Sequence, residues 1–393
     1  MMTTRFNFSN LLWALAWMPG FATAIFGTAE TNLGEYENLC LTTESLPYMG
    51  IEEDFELLTI QHMGEPRSVF VHVPDTNSTE PLPMVMDIHG MGSCPSIQMA
   101  MTGWLGLSGA NDFVYVVPLG RTDPSVSMAS CWSLPGGREI TLEEFEETTV
   151  TPPCCCTTEN NYKTWTDYEK LQDDVFLRNV IKYLTTDGAL DVTVDPSKVV
   201  VTGHSNGGMA AFALAAQHSD VISGIAVFGG SANTPFADDY SPIPVVIVHG
   251  QKDGEAPYEG MPSPYGYGFD STENIFAMVA DKNGCDAETT KESLEAEGGF
   301  VMKATSCTND ADVTMIVLEK GGHSPYKGAE TSWIYDKFGA KSTVADTTQM
   351  ACQVLLGDDC ANDAPASESG GAFSRNTGLM GGAFALLLSL LWL

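Results

Sequence analysis

Val199-Val200-Val201-Thr202-Gly203-His204-Ser205-Asn206-Gly207-Gly208-Met209-Ala210-Ala211-Phe212 is the stretch of sequence that decides the fold. Its first four residues predict a buried strand and its last four predict a helix. The five residues from Gly203 to Gly207 have the pattern G-x-S-x-G, in which glycines let the backbone bend sharply enough to expose a serine hydroxyl. The stretch therefore predicts Ser205 as a nucleophile at a strand-to-helix turn.

The rest of the chain supplies strands and helices that fit around this turn. Short apolar runs rich in Val and Ile are typical of central strands in a largely parallel sheet, which are buried on both faces. Apolar side chains at helical spacing predict helices between them. Strands alternating with helices indicate an α/β fold, with a mostly parallel central sheet and helices on both faces. The predicted strands are residues 68–73, 84–88, 113–117, 198–202, 225–228, 245–248 and 313–318, and the predicted helices are 168–184, 209–218 and 272–281.

A serine hydroxyl needs a general base, and His323 is the best candidate among seven histidines. It follows a predicted strand in a loop that can present an imidazole over the sheet, although an ordinary loop histidine is the alternative. His204 adjoins Ser205 along the chain, so we expect its side chain to point elsewhere and to serve packing or the rim of the site. We expect His249, at a strand end, to be buried.

The third member of such a triad is an acid that fixes the imidazole tautomer. Asp253 follows the predicted strand 245–248, at the carboxyl end where α/β sheets place their sites. An ordinary turn is the alternative for this aspartate. The chain order Ser205, Asp253, His323 is the order found in α/β-hydrolases.

An oxyanion hole requires backbone N–H donors where negative charge develops. We expect one donor to be Asn206, directly after the nucleophile, and the other to be Met91, with Gly90 or Gly92 as alternatives. His89 is either part of this loop's function or a strand-end histidine. No cofactor is predicted, and the absence of C-x-x-C or H-E-x-x-H spacing argues against a metal site.

Composition restricts the partners. The chain has 51 acidic residues against 18 Lys and Arg, a formal net charge of −33, so nucleic acid would be repelled. A neutral ester, with a polymer as one option, is the expected substrate. Ten cysteines fit an oxidising compartment, and Cys285 with Cys307 is the one pair that we predict. The adjacent cysteines at 154–156 are poorly placed to bridge one another.

Both ends of the sequence have patterns of targeting signals. Residues 1–24 have a basic residue, an apolar run and Ala22-Thr23-Ala24, which predicts a signal peptide rather than a membrane anchor. Residues 369–393 have small residues, a polar spacer and an apolar tail, which predicts a GPI-anchor signal, with a tail anchor or a terminal helix as alternatives. Between them we expect an N-terminal segment at 25–65, a catalytic domain at 66–345 and a linker segment at 346–368. Asn77-Ser78-Thr79 is a predicted N-glycosylation site.

The sequence resembles the secreted α/β-hydrolase esterases that include feruloyl esterases, acetylxylan esterases and polyhydroxybutyrate depolymerases. The resemblance covers roughly 66–326 and implies the triad roles of Ser205, Asp253 and His323. The sequence departs from that family directly after the histidine, at Ser324-Pro325-Tyr326, and in an insertion at 133–165. The matching segments are Asp87-Ile88-His89-Gly90, Thr102-Gly103-Trp104, Val116-Val117-Pro118, Cys131-Trp132, Asp173-Asp174-Val175-Phe176-Leu177, Val194-Asp195-Pro196-Ser197, residues 202–209, His249-Gly250, Pro257-Tyr258 and Gly321-Gly322-His323.

Together these observations predict an extracellular serine esterase, in solution or held at the cell surface by a lipid anchor. Plant or algal polysaccharide esters and polyesters are the substrate classes that the resemblance implies. Two alternatives are a serine peptidase of the same fold and a non-catalytic cell-surface binding module, because one fold hosts many functions.

Overall fold

The structure is a computed structural model that describes residues 51, 53–91, 93–123, 129–135, 172–232, 234–260, 270–294, 298–327 and 345–361. Several predictions lie outside these residues: the signal peptide, the three adjacent cysteines, Gly92 and the anchor signal. Most of the predicted insertion at 133–165 also lies outside them. None of the helices described is long and apolar enough to cross a membrane.

Ten strands form one sheet, in the order β1-β2-β4-β3-β7-β8-β9-β12-β11-β10. The six strands from β4 to β12 in that order run parallel, and antiparallel strands flank them at both edges. Strands β5 and β6 form a separate hairpin. The bounds are β1 Glu56–His62, β2 Glu65–His72, β3 Leu82–Ile88, β4 Val114–Pro118, β5 Arg121–Asp123, β6 Ala129–Cys131, β7 Val194–His204, β8 Gly224–Phe228, β9 Val245–Gly250, β10 Thr289–Leu294, β11 Gly299–Ala304 and β12 Val313–Leu318.

Helices cover both faces of this sheet. On one face, residues of α3, α4 and α5 share a core with strand residues such as Val201 and Ile247. On the other face, α1, α2 and α6 pack with the alternate strand residues, such as Val200 and Val248. Successive strand side chains point to opposite faces, so a fully apolar strand serves both layers. The bounds are α1 Pro95–Thr102, α2 Trp104–Asn111, α3 Asp173–Leu184, α4 Asn206–His218, α5 Thr272–Lys282 and α6 Thr347–Leu356, with 3₁₀ segments at Ser219–Val221, Thr308–Asp310 and Gly357–Cys360.

The predicted α/β class is confirmed, and each of the seven predicted strands is present. The helix predicted over 168–184 is described from Asp173 onwards, and the other two predicted helices are present as α4 and α5. The predicted bridge between Cys285 and Cys307 is present, together with an unpredicted one between Cys352 and Cys360. Strand β1 belongs to the same sheet and helix α6 to its core, although both lie in segments that we predicted to flank the catalytic domain.

Candidate active site

Ser205 lies in a strained turn between β7 and α4. Its φ and ψ are 54° and −120°, a conformation that non-glycine residues rarely adopt. The turn is held by backbone hydrogen bonds: Ser205 N donates to the Phe228 carbonyl at 2.8 Å, and Met209 N donates to the Ser205 carbonyl at 3.0 Å. Ser205 is partly exposed, whereas His204 and Asn206 on either side are buried. The turn therefore presents this one residue toward solvent.

Two glycines make the turn sterically feasible. A Cβ atom on Gly203 would lie 2.2 Å from the Gly207 carbonyl oxygen, and one on Gly207 would lie 2.0 Å from the Ile88 carbonyl oxygen. Both distances are far inside van der Waals contact with backbone, which cannot move as a flexible side chain would. The glycines of the G-x-S-x-G pattern thus let the turn pack directly against the end of β3.

Asp253 and His323 form a buried hydrogen-bonded pair at the same edge of the sheet. Asp253 follows β9 and His323 follows β12, two adjacent parallel strands. The His323 Nδ1 atom lies 2.8 Å from Asp253 Oδ2, and both residues are 6% exposed. If the carboxylate accepts the Nδ1 proton, Nε2 of this imidazole is left unprotonated and able to take a proton.

Four donors surround the Asp253 carboxylate. Its Oδ1 accepts from the backbone N–H groups of Glu255 and Ala256 at 2.9 and 2.8 Å. The His249 Nε2 atom lies 3.2 Å from Oδ2, the same oxygen that faces His323, and 2.8 Å from the Ala256 carbonyl oxygen, so its proton is shared between the two acceptors. Burial alone would raise the pKa of Asp253, but the hydrogen bonds from His249 and His323 outweigh it and hold that pKa well below its ordinary value. The group is therefore a carboxylate at neutral pH.

The turn after β8 joins this pair to the serine. Ser205 donates its backbone N–H to Phe228, the last residue of β8. The next residue, Gly229, has a φ of +56°, and a Cβ atom there would lie 2.7 Å from the His323 carbonyl oxygen and 3.5 Å from His323 Nδ1. A glycine at this position lets the histidine loop approach the turn closely. Ser205 and His323 thus contact the same short segment.

The histidine before the nucleophile contacts the His323 loop. The His204 Nε2 atom lies 2.8 Å from the His323 carbonyl oxygen, and the two rings have centroids 4.8 Å apart. Burial, followed by the charge of His323, lowers the pKa of His204 to about 3. His204 is therefore neutral at physiological pH.

The two predicted oxyanion donors lie where β3 and β7 end. Asn206 is buried as the first residue of α4, and Met91 follows β3 with 45% of its surface exposed. Beside Met91, a Cβ atom on Gly90 would lie 3.3 Å from Ser205 Cβ, so this loop runs close to the serine. The N-terminus of α4 also favours negative charge at this position.

Trp132 connects the two segments that contain the predicted oxyanion donors. Its backbone N–H donates to the Asn206 side-chain oxygen at 2.8 Å, and its indole N–H donates to the His89 carbonyl at 2.8 Å. The next residue, Ser133, donates its backbone N–H to the buried carboxylate of Asp173 at 2.7 Å, which also pairs with Arg67 at 2.8 Å. Sequence reasoning noticed Trp132 only through the family resemblance and gave it no role.

The His89 side chain is held by backbone groups and by the Trp132 ring. Its Nε2 atom accepts from Gly120 N at 2.9 Å, its Nδ1 atom lies 2.8 Å from the Gly90 carbonyl, and its ring packs on Trp132. Burial lowers the pKa of His89 to about 4. His249 is buried as predicted, but its contact with Asp253 was not foreseen. Within the described ranges, no three His, Cys, Asp or Glu side chains are placed to hold a metal ion.

The strand order decides the fold family, since a serine turn after β7, an acid after β9 and a histidine after β12 sit on one mostly parallel sheet. The chain has the α/β-hydrolase fold. No family model matches the sequence. The acetyl xylan esterase from Aspergillus awamori aligns over 68% of this chain and 94% of its own, with a TM-score of 0.45 and 15% identity. The fold is therefore identified from the strand order and not from this superposition.

Two curated proteins show the sequence similarity to esterases. The protein named "Putative esterase NocK" of Nocardia uniformis subsp. tsuyamanensis is 30% identical over 203 residues, 46% of this chain and 56% of NocK. The bifunctional acetylxylan esterase/xylanase XynS20E of Neocallimastix patriciarum is 21% identical over 280 residues, 70% of this chain and 33% of that protein. The chain thus spans about half of the first relative and a third of the second. The expected resemblance to α/β-hydrolase esterases is confirmed.

Proposed function

We propose that this protein is a carboxylic ester hydrolase in which Ser205, His323 and Asp253 act as a triad. The observation that carries the proposal is the buried pair of Asp253 and His323, 2.8 Å apart at the sheet edge to which the strained Ser205 turn belongs. The esterase names of the two curated relatives support the same reaction class.

In the proposed reaction, Ser205 Oγ attacks the ester carbonyl carbon while His323 Nε2 takes the hydroxyl proton. Asp253 holds the imidazole tautomer and stabilises the imidazolium that forms. The carbonyl oxygen becomes an oxyanion, which the backbone N–H groups of Met91 and Asn206 stabilise. His323 then gives the proton to the leaving alcohol. Water attacks the acyl-enzyme in a second cycle and releases the acid.

Our proposal for substrate and location is an extracellular enzyme that acts on esters of plant or algal polysaccharides or on polyesters. The acetylxylan esterase name of XynS20E supports a carbohydrate ester, and the two disulfides support an oxidising compartment. The predicted GPI anchor and the glycosylation at Asn77 remain parts of this proposal. A net charge of −33 favours neutral or cationic substrates over polyanions.

The proposal is tested by the hydrolysis of matched ester and amide substrates. Purified protein and its Ser205→Ala variant are assayed with p-nitrophenyl acetate, acetylated xylan, methyl ferulate and a peptide p-nitroanilide. We expect ester hydrolysis that is lost in the variant, with little cleavage of the anilide. Preferential anilide cleavage would favour the peptidase alternative. A folded wild-type protein that cleaves none of these substrates would contradict an ester hydrolase and favour a binding module.

A further inference from the structure

The side chain of His204 forms a hydrogen bond to the backbone of His323. A carbonyl oxygen only accepts hydrogen bonds, so the His204 Nε2 atom, 2.8 Å from the His323 carbonyl, must carry the proton. The His204 ring is buried and lies against the rings of His323 and Tyr326, with centroids 4.8 and 5.8 Å away. Ser324 Oγ lies farther from Nε2, at 3.5 Å.

This bond links the turn that carries Ser205 to the loop that carries His323. The relative placement of Ser205 and His323 matters for proton transfer. His204 is bonded covalently to Ser205, and its side chain holds the main chain of His323. His323 itself lies in the loop after β12, directly after Gly321-Gly322, and glycines give a loop more conformational freedom than other residues do. The nitrogen of a general base must come within about 2.6–3.2 Å of the oxygen whose proton it takes, so a small displacement of this loop would impair the reaction.

We propose that His204 is a positioning residue, which fixes the His323 loop against the Ser205 turn through its Nε2–H bond to the His323 carbonyl. This inference rests on the proposed function, because it concerns the geometry of that triad. A neutral ring suits the role, since a charged imidazole in contact with His323 would disfavour the imidazolium that forms there. An apolar side chain could fill the same space but could not make the bond.

The kinetic test compares His204→Leu, which removes the donor, with His204→Gln, which keeps an N–H donor. The matched control is His72→Leu: His72 is a buried histidine whose Nδ1 lies 3.0 Å from the Asp54 carbonyl, on strand β2 outside the site. We expect His204→Leu to lower kcat by about tenfold to a hundredfold with KM nearly unchanged, because misplacement by about an ångström has effects of this size. His204→Gln should recover most of kcat, and the control should keep the wild-type kcat.

A second readout does not require turnover. The proton between His323 Nδ1 and Asp253 should give a low-field ¹H NMR resonance, assigned by its loss in His323→Gln. We expect the resonance to persist in His204→Gln and to broaden or vanish in His204→Leu. If wild-type protein shows the resonance but hydrolyses no ester, the proposed function fails and this readout still decides the role of His204.

Two results would overturn the inference. One is a His204→Leu variant with wild-type kcat and an unchanged low-field resonance. The other is an equal loss in the Leu and Gln variants, which would assign His204 to packing alone.

Discussion

Two buried aspartates near the active edge of the sheet have opposite pKa shifts. Asp253 accepts two backbone N–H groups and two imidazoles, and its pKa lies well below the ordinary value. Asp87, near the end of β3, accepts from the side chains of Gln98, Thr102 and Tyr115 at 2.7–2.8 Å. Burial nevertheless raises the pKa of Asp87 to about 6, because those three neutral donors do not offset the loss of water.

The difference shows that the kind of donor, and not only the loss of water, decides the charge of a buried acid. Asp253 faces two imidazoles that can become cationic, and those stabilise the carboxylate. Asp87 faces an amide and two hydroxyl groups, and the Tyr115 hydroxyl has a pKa raised well above its ordinary value by burial and by Asp87. These environments agree with the proposed catalytic role of Asp253 and with a structural role for Asp87.

The largest expected difference between the two aspartates is in kcat after each is replaced by asparagine. Asp253→Asn should lower kcat by about 10³-fold to 10⁴-fold, because an amide favours the wrong imidazole tautomer. Asp87→Asn should stay within a few-fold of wild type. The measurement is kcat with p-nitrophenyl acetate, alongside circular dichroism to show that both variants fold. Equal losses in the two variants would contradict the division of roles.

The stability of the protein should depend on pH through Asp87 and His204 with opposite signs. Between about pH 4 and 6, native Asp87 holds a proton that the unfolded chain has lost, so this group lowers stability as pH rises, by about 3 kcal/mol in total. The pKa of His204 is about 3 against an ordinary 6.5, so the unfolded chain binds the extra proton and this group raises stability as pH rises.

Urea unfolding at several pH values measures both contributions. Against wild type, Asp87→Asn should make the free energy of unfolding increase more steeply with pH from 4 to 6. His204→Gln should make it increase less steeply, by about 1.4 kcal/mol per pH unit. If both variants change the slope in the same direction, one of the two pKa directions is wrong.

A smaller effect is expected at His249, the second imidazole beside Asp253. His249→Phe keeps a ring of similar size but removes the donor at 3.2 Å. The pKa of Asp253 should rise toward its ordinary value, because a donor to the carboxylate is lost. We expect kcat to fall by about tenfold, which corresponds to about 1.4 kcal/mol and lies just below the range of about 1.5–3 kcal/mol for a hydrogen bond to a charged group. Steady-state kinetics at pH 8 tests this, with His249→Gln as the variant that keeps a donor. An unchanged kcat in His249→Phe would show that His323 and the two backbone N–H donors suffice to hold the carboxylate.

The smallest effect concerns one donor of Asp87. Tyr115→Phe removes a 2.8 Å hydrogen bond to Oδ2 and leaves the ring in the core. The carboxylate then loses stabilisation, so the variant should be less stable than wild type by about 1–2 kcal/mol at pH 7.5. At pH 4 the difference should be smaller, since Asp87 is then protonated. Thermal unfolding at the two pH values gives the comparison, and an equal loss at both would indicate a packing effect only.

The sequence was sufficient to predict the parallel strands, because they are buried on both faces and their apolar runs are unbroken. It was also sufficient to place Ser205, Asp253 and His323 at strand ends that meet along one edge. Helix α1 was missed because Gln98 and Thr102 are polar residues and interrupt the apolar pattern of a buried helix. Both are buried in the structure, where their side chains donate hydrogen bonds to Asp87. The edge strand β10 was missed because it is almost wholly exposed, and its neighbour β11 because it is only partly buried, so neither has an unbroken apolar run.

The supporting contacts of the site could not be predicted. The bonds of Trp132 to Asn206 and His89 join residues 74 and 43 positions apart, and that of His204 to His323 spans 119 positions. No local pattern carries such information, because it depends on how loops from different strands meet. The roles proposed for Met91 and Asn206 as oxyanion donors stay predictions.

The most direct test of the central claim is mass spectrometry of the folded protein after reaction with a fluorophosphonate. We predict one adduct per chain, located at Ser205, absent from Ser205→Ala and formed far more slowly in Asp253→Asn. A folded wild-type protein that forms no adduct, or forms it at another serine with Ser205 unmodified, would contradict the assignment of Ser205 as the activated nucleophile.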